Sequence, residues 1–198
     1  MSEIQQTVAD PATPNPAFVL KKTVALVGMM GAGKTAVGRV VASKLGVVFT
    51  DSDAEIEAAA NLTVPEIFNR DGEAFFRRRE TEVIARLLDH ERCILSTGGG
   101  AFLSEENREN ITARGVSVWL NADIDLLWSR VRHKDTRPLL RTGDPLGTLT
   151  SLYETRVPIY QLADLSVPCE ENLPIDAMAC RVIDVLLTRP DVLERCDA

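Results

Sequence analysis

Aromatic side chains are scarce in this chain, at 5% of its 198 residues. That is low for a module that works by stacking nucleobases. Positive charge is also in deficit: 22 Lys and Arg stand against 29 Asp and Glu, for a formal net charge of −7. Bulk attraction to nucleic acid or to an anionic membrane is therefore disfavoured, and any anion site must be local. Cysteine is limited to Cys93, Cys169, Cys180 and Cys196. No pair has metal-ligand spacing and the density is far below that of a disulfide scaffold, so reduced thiols in the cytoplasm are expected. No long apolar run is present, so no membrane span is expected. The first 20 residues lack a charged-then-apolar signal pattern and carry Pro11, Pro14 and Pro16 among small and polar residues. They read as a disordered N-terminal extension, 1–20. With no repeats and no composition break, residues 21–198 read as a single domain.

What is present is an alternation of strands and helices. "TVALVG" (23–28) is a β-branched run closed by glycine, and "GKTAVGRVVASKLG" (33–46) puts Val37, Val40, Val41 and Leu45 on one helical stripe, with Gly46 as a stop. "VVFT" (47–50), "CILSTGGG" (93–100), which runs into glycines, "VSVWLN" (116–121) and "LSVPC" (165–169) read as further strands. Helices are expected from "DAEIEAAA", from 63–91 with a break near Asp71-Gly72, from 104–115 with Ser104 as cap, and from "DIDLLWSRVR". The last two helices are expected around Pro158, where a kink is expected, and in "PIDAMACRVIDVLLTR". Residues 133–145 hold charge, two prolines and a glycine, and read as a mobile loop. The fold class is α/β: a three-layer α/β/α sandwich around a five-stranded parallel sheet. Ligands of such sheets lie outside the carboxyl ends of the strands. The three glycine-rich or acidic clusters all follow strands, and so share one edge.

The first cluster, Gly28-Met-Met-Gly31-Ala-Gly33-Lys34-Thr35, fits G-x-x-x-x-G-K-[ST] between a strand and a helix. Its glycines let N–H groups turn inward around phosphate oxygens, Lys34 adds a point charge, and Thr35 can put its hydroxyl on Mg²⁺. In the second, "DSD", Asp51 and Asp53 end a strand. Ser52 or Asp53 could simply cap the following helix; beside a phosphate loop, one carboxylate can hold Mg²⁺ and the other can take a proton from an attacking hydroxyl. The third, Gly98-Gly99-Gly100, allows close approach of a ligand to the main chain. Arg77, Arg78 and Arg79 splay around a helix, so they cannot all face one site, and Arg77–Glu80 and Arg78–Glu82 have ion-pair spacing. Arg130, Arg132, Lys134, Arg137 and Arg141 concentrate positive charge at 130–141, which points to closure over a polyphosphate.

Six segments in order, "GMMGAGKT", "DSD", "GEAFFRRRE", "GGG", "RPLL" and "RVPIY", resemble the shikimate kinase family from about Lys22 to about Leu187. The resemblance implies a P-loop kinase fold with a mobile lid at about 132–145, and transfer of the γ-phosphate of ATP to the 3-hydroxyl of shikimate. It implies nucleotide contacts at Gly28, Gly31, Ala32, Gly33, Lys34, Thr35, Ala36, Arg130 and Arg137, with Arg130 against the adenine. Lys34 and Arg137 would act on the phosphates, and Asp53 would bind the ring hydroxyls and serve as base. Thr35 would be a direct ligand of Mg²⁺ and Asp51 would support it through water. Arg77 and Arg156 would grip the substrate carboxylate, Glu80 would position Arg77, and Gly98, Gly99 and Gly100 would contact shikimate by backbone. The expected partners are small molecules only, with no nucleic acid or membrane, and a monomer is expected.

The chain departs from the family in two places, one being the extension at residues 1–20, which lies outside the shared pattern. The segment before the last helix, "CEENLPID", has Pro174 but no arginine. Two other readings share parts of the pattern: another small-molecule kinase such as a gluconate kinase, which needs no carboxylate grip like Arg77 with Arg156, and a nucleotide-dependent switch, which has no use for Asp53.

Overall fold

The computed structural model describes residues 17–90, 92–132 and 142–196. Five parallel strands form the central sheet: β2 (Thr23–Val27), β3 (Val48–Asp51), β4 (Cys93–Ser96), β5 (Gly115–Asn121) and β6 (Leu165–Pro168), in the order β3-β4-β2-β5-β6. β2, at the centre, is buried along its whole length, as its unbroken apolar run requires. Helix α1 (Lys34–Leu45) packs with α8 (Ile175–Leu187) over β3, β4 and β6. Helix α5 (Glu105–Arg114) lies along β5 with α4 (Glu73–Asp89) beside it. Right-handed crossovers put these two pairs on opposite faces, giving the expected three layers.

Between β3 and β4 the chain forms α2 (Ser52–Ala60), α3 (Val64–Asp71) and α4. Ile56, Ile67 and Phe76 join these helices into a small core of their own, apart from the main one. Thr63 opens α3 with a reciprocal cap: its N–H and hydroxyl both donate to Glu66, each at 2.7 Å. The break expected near Asp71-Gly72 is there, with Gly72 ending α3 and opening α4. The short 3₁₀ turn Ala101–Leu103 leads from the glycines into α5, which Ser104 caps as expected. After β5 come α6 (Ile124–Val131) and α7 (Pro145–Tyr160); α7 continues through Pro158 to Tyr160. The segment expected to be mobile lies outside the described residues at 133–141, and α7 already begins at Pro145.

Two expectations need correction. Phe18–Leu20, assigned to the extension, form strand β1, which pairs antiparallel with β7 (Leu193–Arg195). Leu20 and Leu193 point inward and are buried, which is what draws this ribbon onto the domain. Residues 1–16 lie outside the described residues. The second concerns the cap of α2. Neither Ser52 nor Asp53 provides it: Asp51 does, accepting from the N–H groups of Asp53 and Ala54. Asp51 has extended φ and ψ, the conformation an N-cap needs, whereas Ser52 is already helical.

Candidate active site

The turn from β2 into α1 wraps the phosphate loop. Gly33, at φ 96°, is the residue before the helix and has no side chain to cap it, so the first N–H groups of α1 stay directed at the cleft. Lys34 is buried and folds back along the loop, donating to the carbonyls of Gly28 (2.7 Å) and Met29 (3.1 Å). Arg130, from α6, donates to the carbonyls of Gly31 and Ala32, both at 3.3 Å, and so steadies the loop from the other side. Gly31, Ala32, Gly33, Thr35 and Ala36 line a cleft of about 600 Å³. Gly28 does not line it. A Cβ at Gly28 would sit 2.9 Å from the Leu120 carbonyl, so this glycine seats the loop on β5.

Two strand ends meet at Thr35. Its hydroxyl donates to Asp51 Oδ2 at 3.1 Å and lies 3.2 Å from Ser96 Oγ. Asp51 and Ser96 are register partners across β3 and β4. Asp51 thus divides its oxygens: Oδ1 caps α2 and Oδ2 faces Thr35. Among the described residues no cluster of three or more His, Cys, Asp or Glu could hold a metal by itself. The donors present, hydroxyl and carboxylate oxygens, fit a Mg²⁺ ion that takes its remaining ligands from phosphates and water.

Asp53 follows on the first turn of α2. Its carboxyl is pushed up to about 6, first by burial and next by the charge of Asp51, while Lys34 and Arg77 pull the other way. Its Oδ1 is buried without a hydrogen-bond partner. Arg77 comes from α4, where Glu80 Oε2 accepts from it at 2.8 Å and Glu73 Oε1 accepts at 3.2 Å. Its guanidinium lies over the rings of Phe76 (5.4 Å) and Phe68 (6.0 Å), which belong to the small helical core. Glu80 is 1% exposed, so it is a fixed anchor for Arg77. Of the three consecutive arginines, Arg77 is the one turned to the site. Arg78 and Arg79 lie over Phe75, and Glu82 pairs with Arg79, not with Arg78 as the spacing also allowed.

The glycines explain how these groups converge. None of Gly98, Gly99 and Gly100 has positive φ, so no turn geometry demands them. A Cβ on Gly98 would lie 2.6 Å from Asp53 Oδ1, and one on Gly100 would lie 2.6 Å from the Arg77 guanidinium. The loop is bare because Asp53 presses on one end of it and Arg77 on the other. Gly98 and Gly99 line the cleft; Gly100 and Arg77 form the adjoining corner. Arg156, on α7, lies one helical turn before Tyr160, whose phenol feels its charge and those of Arg77 and Glu80.

At its far end the cleft is lined by Arg130, Cys169, Glu170, Leu173, Ile175 and Met178. The Cys169 thiol is pushed up to about 11 by burial. Within "CEENLPID", which lacks the arginine, Glu170 accepts a fork from Arg181 of α8 at 2.6 and 3.2 Å. Arg137 lies outside the described residues. Sequence reasoning missed Ser96, Glu73 and Tyr160. The signal for Ser96 was its place at the end of the strand before the glycines; those for Glu73 and Tyr160 were their positions one helical turn from Arg77 and Arg156.

The family profile for shikimate kinase matches residues 30–187. A shikimate kinase of Ruegeria pomeroyi is 66% identical over 178 residues, 90% of this chain and 91% of that protein. Among solved structures, shikimate kinase from Acinetobacter baumannii in complex with shikimate superposes with a TM-score of 0.80 at 37% identity, covering 85% of this chain and 94% of that one. A gluconokinase from Sinorhizobium meliloti reaches a TM-score of 0.58 at 17% identity, over 85% and 93% of the two chains, which speaks for the fold alone. Sequence likeness over most of its length and a shared backbone lead to the same assignment: the chain belongs to the shikimate kinase family.

Proposed function

We propose that this chain is an ATP-dependent kinase that transfers the γ-phosphate of ATP to the 3-hydroxyl of shikimate, giving shikimate 3-phosphate and ADP. The observation that carries the reading is the glycine loop 98–100, pressed at one end by Asp53 and at the other by Arg77, beside the phosphate loop. A small polyhydroxylated acid needs this pair of ends: cationic forks for its carboxylate and an anion for its alcohols.

In this reading the ATP phosphates lie on the N–H groups from Gly31 to Ala36, with Lys34 swinging from the loop carbonyls to the β- and γ-phosphates. Arg130, the Cys169–Glu170 strand end and Leu173 flank the base. Arg77 and Arg156 clasp the carboxylate. Asp53 orients the 3-hydroxyl and takes its proton as the oxygen bonds to phosphorus; a carboxyl near 6 is ionised at neutral pH yet basic enough to accept. Arg137 adds charge on the transferring group. Thr35 and Asp51 are the residues that would hold Mg²⁺, which when bound neutralises charge on the phosphates. The rest of the catalysis is placement and exclusion of water. The same reading has the enzyme act as a cytoplasmic monomer on small molecules, without nucleic-acid or membrane partners; among the described residues no helix is long and apolar enough to cross a membrane.

The test is ADP release from ATP and Mg²⁺ with shikimate, with gluconate and with no acceptor. Release that depends on shikimate, with a new phosphate ester at the 3-position by ³¹P and ¹H NMR, is expected. Equal release with gluconate or without acceptor would reject the assignment.

A further inference from the structure

Tyr160 ends α7 and is fully buried. Its ring is flanked by Phe102 (centroids 6.5 Å, planes at 18°) and Trp119 (6.4 Å, 23°). Phe102 belongs to the 3₁₀ turn that continues the glycine loop, and Trp119 lies on β5 against Gly28, where an added Cβ would come within 3.2 Å of it. The ring therefore stands between the acceptor loop and the seat of the phosphate loop. A core phenylalanine would do that equally well; the hydroxyl is what needs an explanation.

A phenol has one proton to give and lone pairs to receive with. Here the proton goes to the Gly99 carbonyl. Arg156, one turn back on the same face of the helix, is the nearest charge that acts on this oxygen. Burial pushes the phenol up to about 12, so it keeps its proton at any working pH. The far side of the loop is tied separately: Asn107 donates to the Ala101 carbonyl and Arg108 to those of Phe102 and Leu103, all at 2.9 Å. Gly99 lies within the loop, between those ties and β4, and Tyr160 is what holds its carbonyl.

We infer that Tyr160 is a positioning residue for the acceptor: its hydroxyl fixes the Arg156 guanidinium and the Gly99 carbonyl relative to each other, so that the carboxylate grip on α7 stays in register with the glycine loop after β4. This rests on the acceptor reading above. It separates Tyr160 from a packing residue, because the hydroxyl acts on one substrate and not on the other.

The experiment is Tyr160→Phe, Arg156→Ala and the double variant, with both Michaelis constants and melting temperatures measured. Wild-type enzyme is assayed first; failure to phosphorylate shikimate overturns the acceptor reading and this inference with it. Given wild-type activity, Y160F should raise KM for shikimate about tenfold, the size of a hydrogen bond to a charged group, and leave KM for ATP within about twofold. Partial unfolding lowers the amount of active enzyme but not either KM, so it cannot imitate this split. On the R156A background, Y160F should add less than about twofold, because the shared path is already cut. Unchanged KM for shikimate, equal rises in both constants, or full additivity would overturn the inference. A measurement on the unaltered chain covers the case in which Y160F does not fold. The sequence has 2 Tyr, Tyr153 and Tyr160. With ¹³Cζ-labelled tyrosine, and Y153F for assignment, shikimate should shift the Tyr160 signal and ATP alone should not. A Tyr160 signal that stays in place at saturating shikimate would sink it.

Discussion

The Asp53 carboxyl, pushed up to about 6 by burial and by Asp51, carries a stability consequence. Its folded pKa lies above the ordinary value, so the folded chain binds this proton more tightly than the unfolded chain does. Ionised Asp53 therefore costs stability above about pH 6, and the cost fades as pH falls toward the ordinary carboxylate range. Asp53→Asn should raise the melting temperature by a few degrees at pH 7.5, on the order of 1–2 kcal/mol, with the gain shrinking by pH 5. The same variant should lower kcat by about 10²–10⁴ while ATP binding persists. Melting curves across pH and a fluorescent-nucleotide titration check both; near-normal turnover would remove Asp53 as base. The glycines make a second residue-scale prediction. Gly98→Ala displaces Asp53 and should lower kcat, whereas Gly100→Ala displaces Arg77 and should raise KM for shikimate, each by about tenfold or more. At Gly99 a Cβ would meet protein atoms only at 3.7 and 3.9 Å, so any loss in Gly99→Ala reports on approach of the ligand itself.

Elements divide the work between holding and acting. The ribbon of β1 and β7 contributes no residue to the cleft lining and is closed by charge as well as apolar contact: Lys21 pairs with Glu194 at 2.7 Å and Lys22 with Asp191 at 2.8 Å. These exposed pairs contribute little. Buried Leu193 contributes more, and Leu193→Ala should cost about 2–4 kcal/mol without changing either KM. Urea unfolding and steady-state kinetics on one preparation test this, and a raised KM would mean the ribbon reaches the site. Helices α2, α3 and α4 act instead. Their small core of Ile56, Ile67 and Phe76 sets the two helices that present Asp53 and Arg77, and buried Glu80 fixes the arginine. The helix break at Gly72 was legible in the sequence, as was the Arg77–Glu80 spacing. The cap by Asp51 was not, because an aspartate at a strand end serves as cap or ligand with the same local sequence, and only its backbone angles decide.

For the whole molecule, parallel topology brings the carboxyl ends of β2, β3 and β4 to one rim, where Lys34, Arg130 and Arg77 gather positive charge on a chain whose net charge is −7. Both substrates bind only the folded chain, so each should stabilise it, by about 2.7 kcal/mol at a hundredfold excess over Kd. ATP with Mg²⁺ and shikimate should each raise the melting temperature of the wild type. In Arg156→Ala the shikimate shift should vanish and the ATP shift should stay; loss of both, or of neither, would contradict the grip from α7.

By itself the sequence determined the succession of strands and helices along the chain, the phosphate loop, the carboxylates at the end of β3, the bare loop after β4 and the family to which they belong. These are local: each depends on residues a few positions apart, where periodicity and spacing carry the physics. Tertiary structure alone decided which of three adjacent arginines meets the glycine loop, that Gly98 and Gly100 are empty for the sake of Asp53 and Arg77, that the Tyr160 hydroxyl reaches the Gly99 carbonyl, and that Phe18–Leu20 belong to the domain. Each of those depends on atoms brought together from distant parts of the chain, and burial and hydrogen bonding among such atoms leave no periodic trace in the residues that make them.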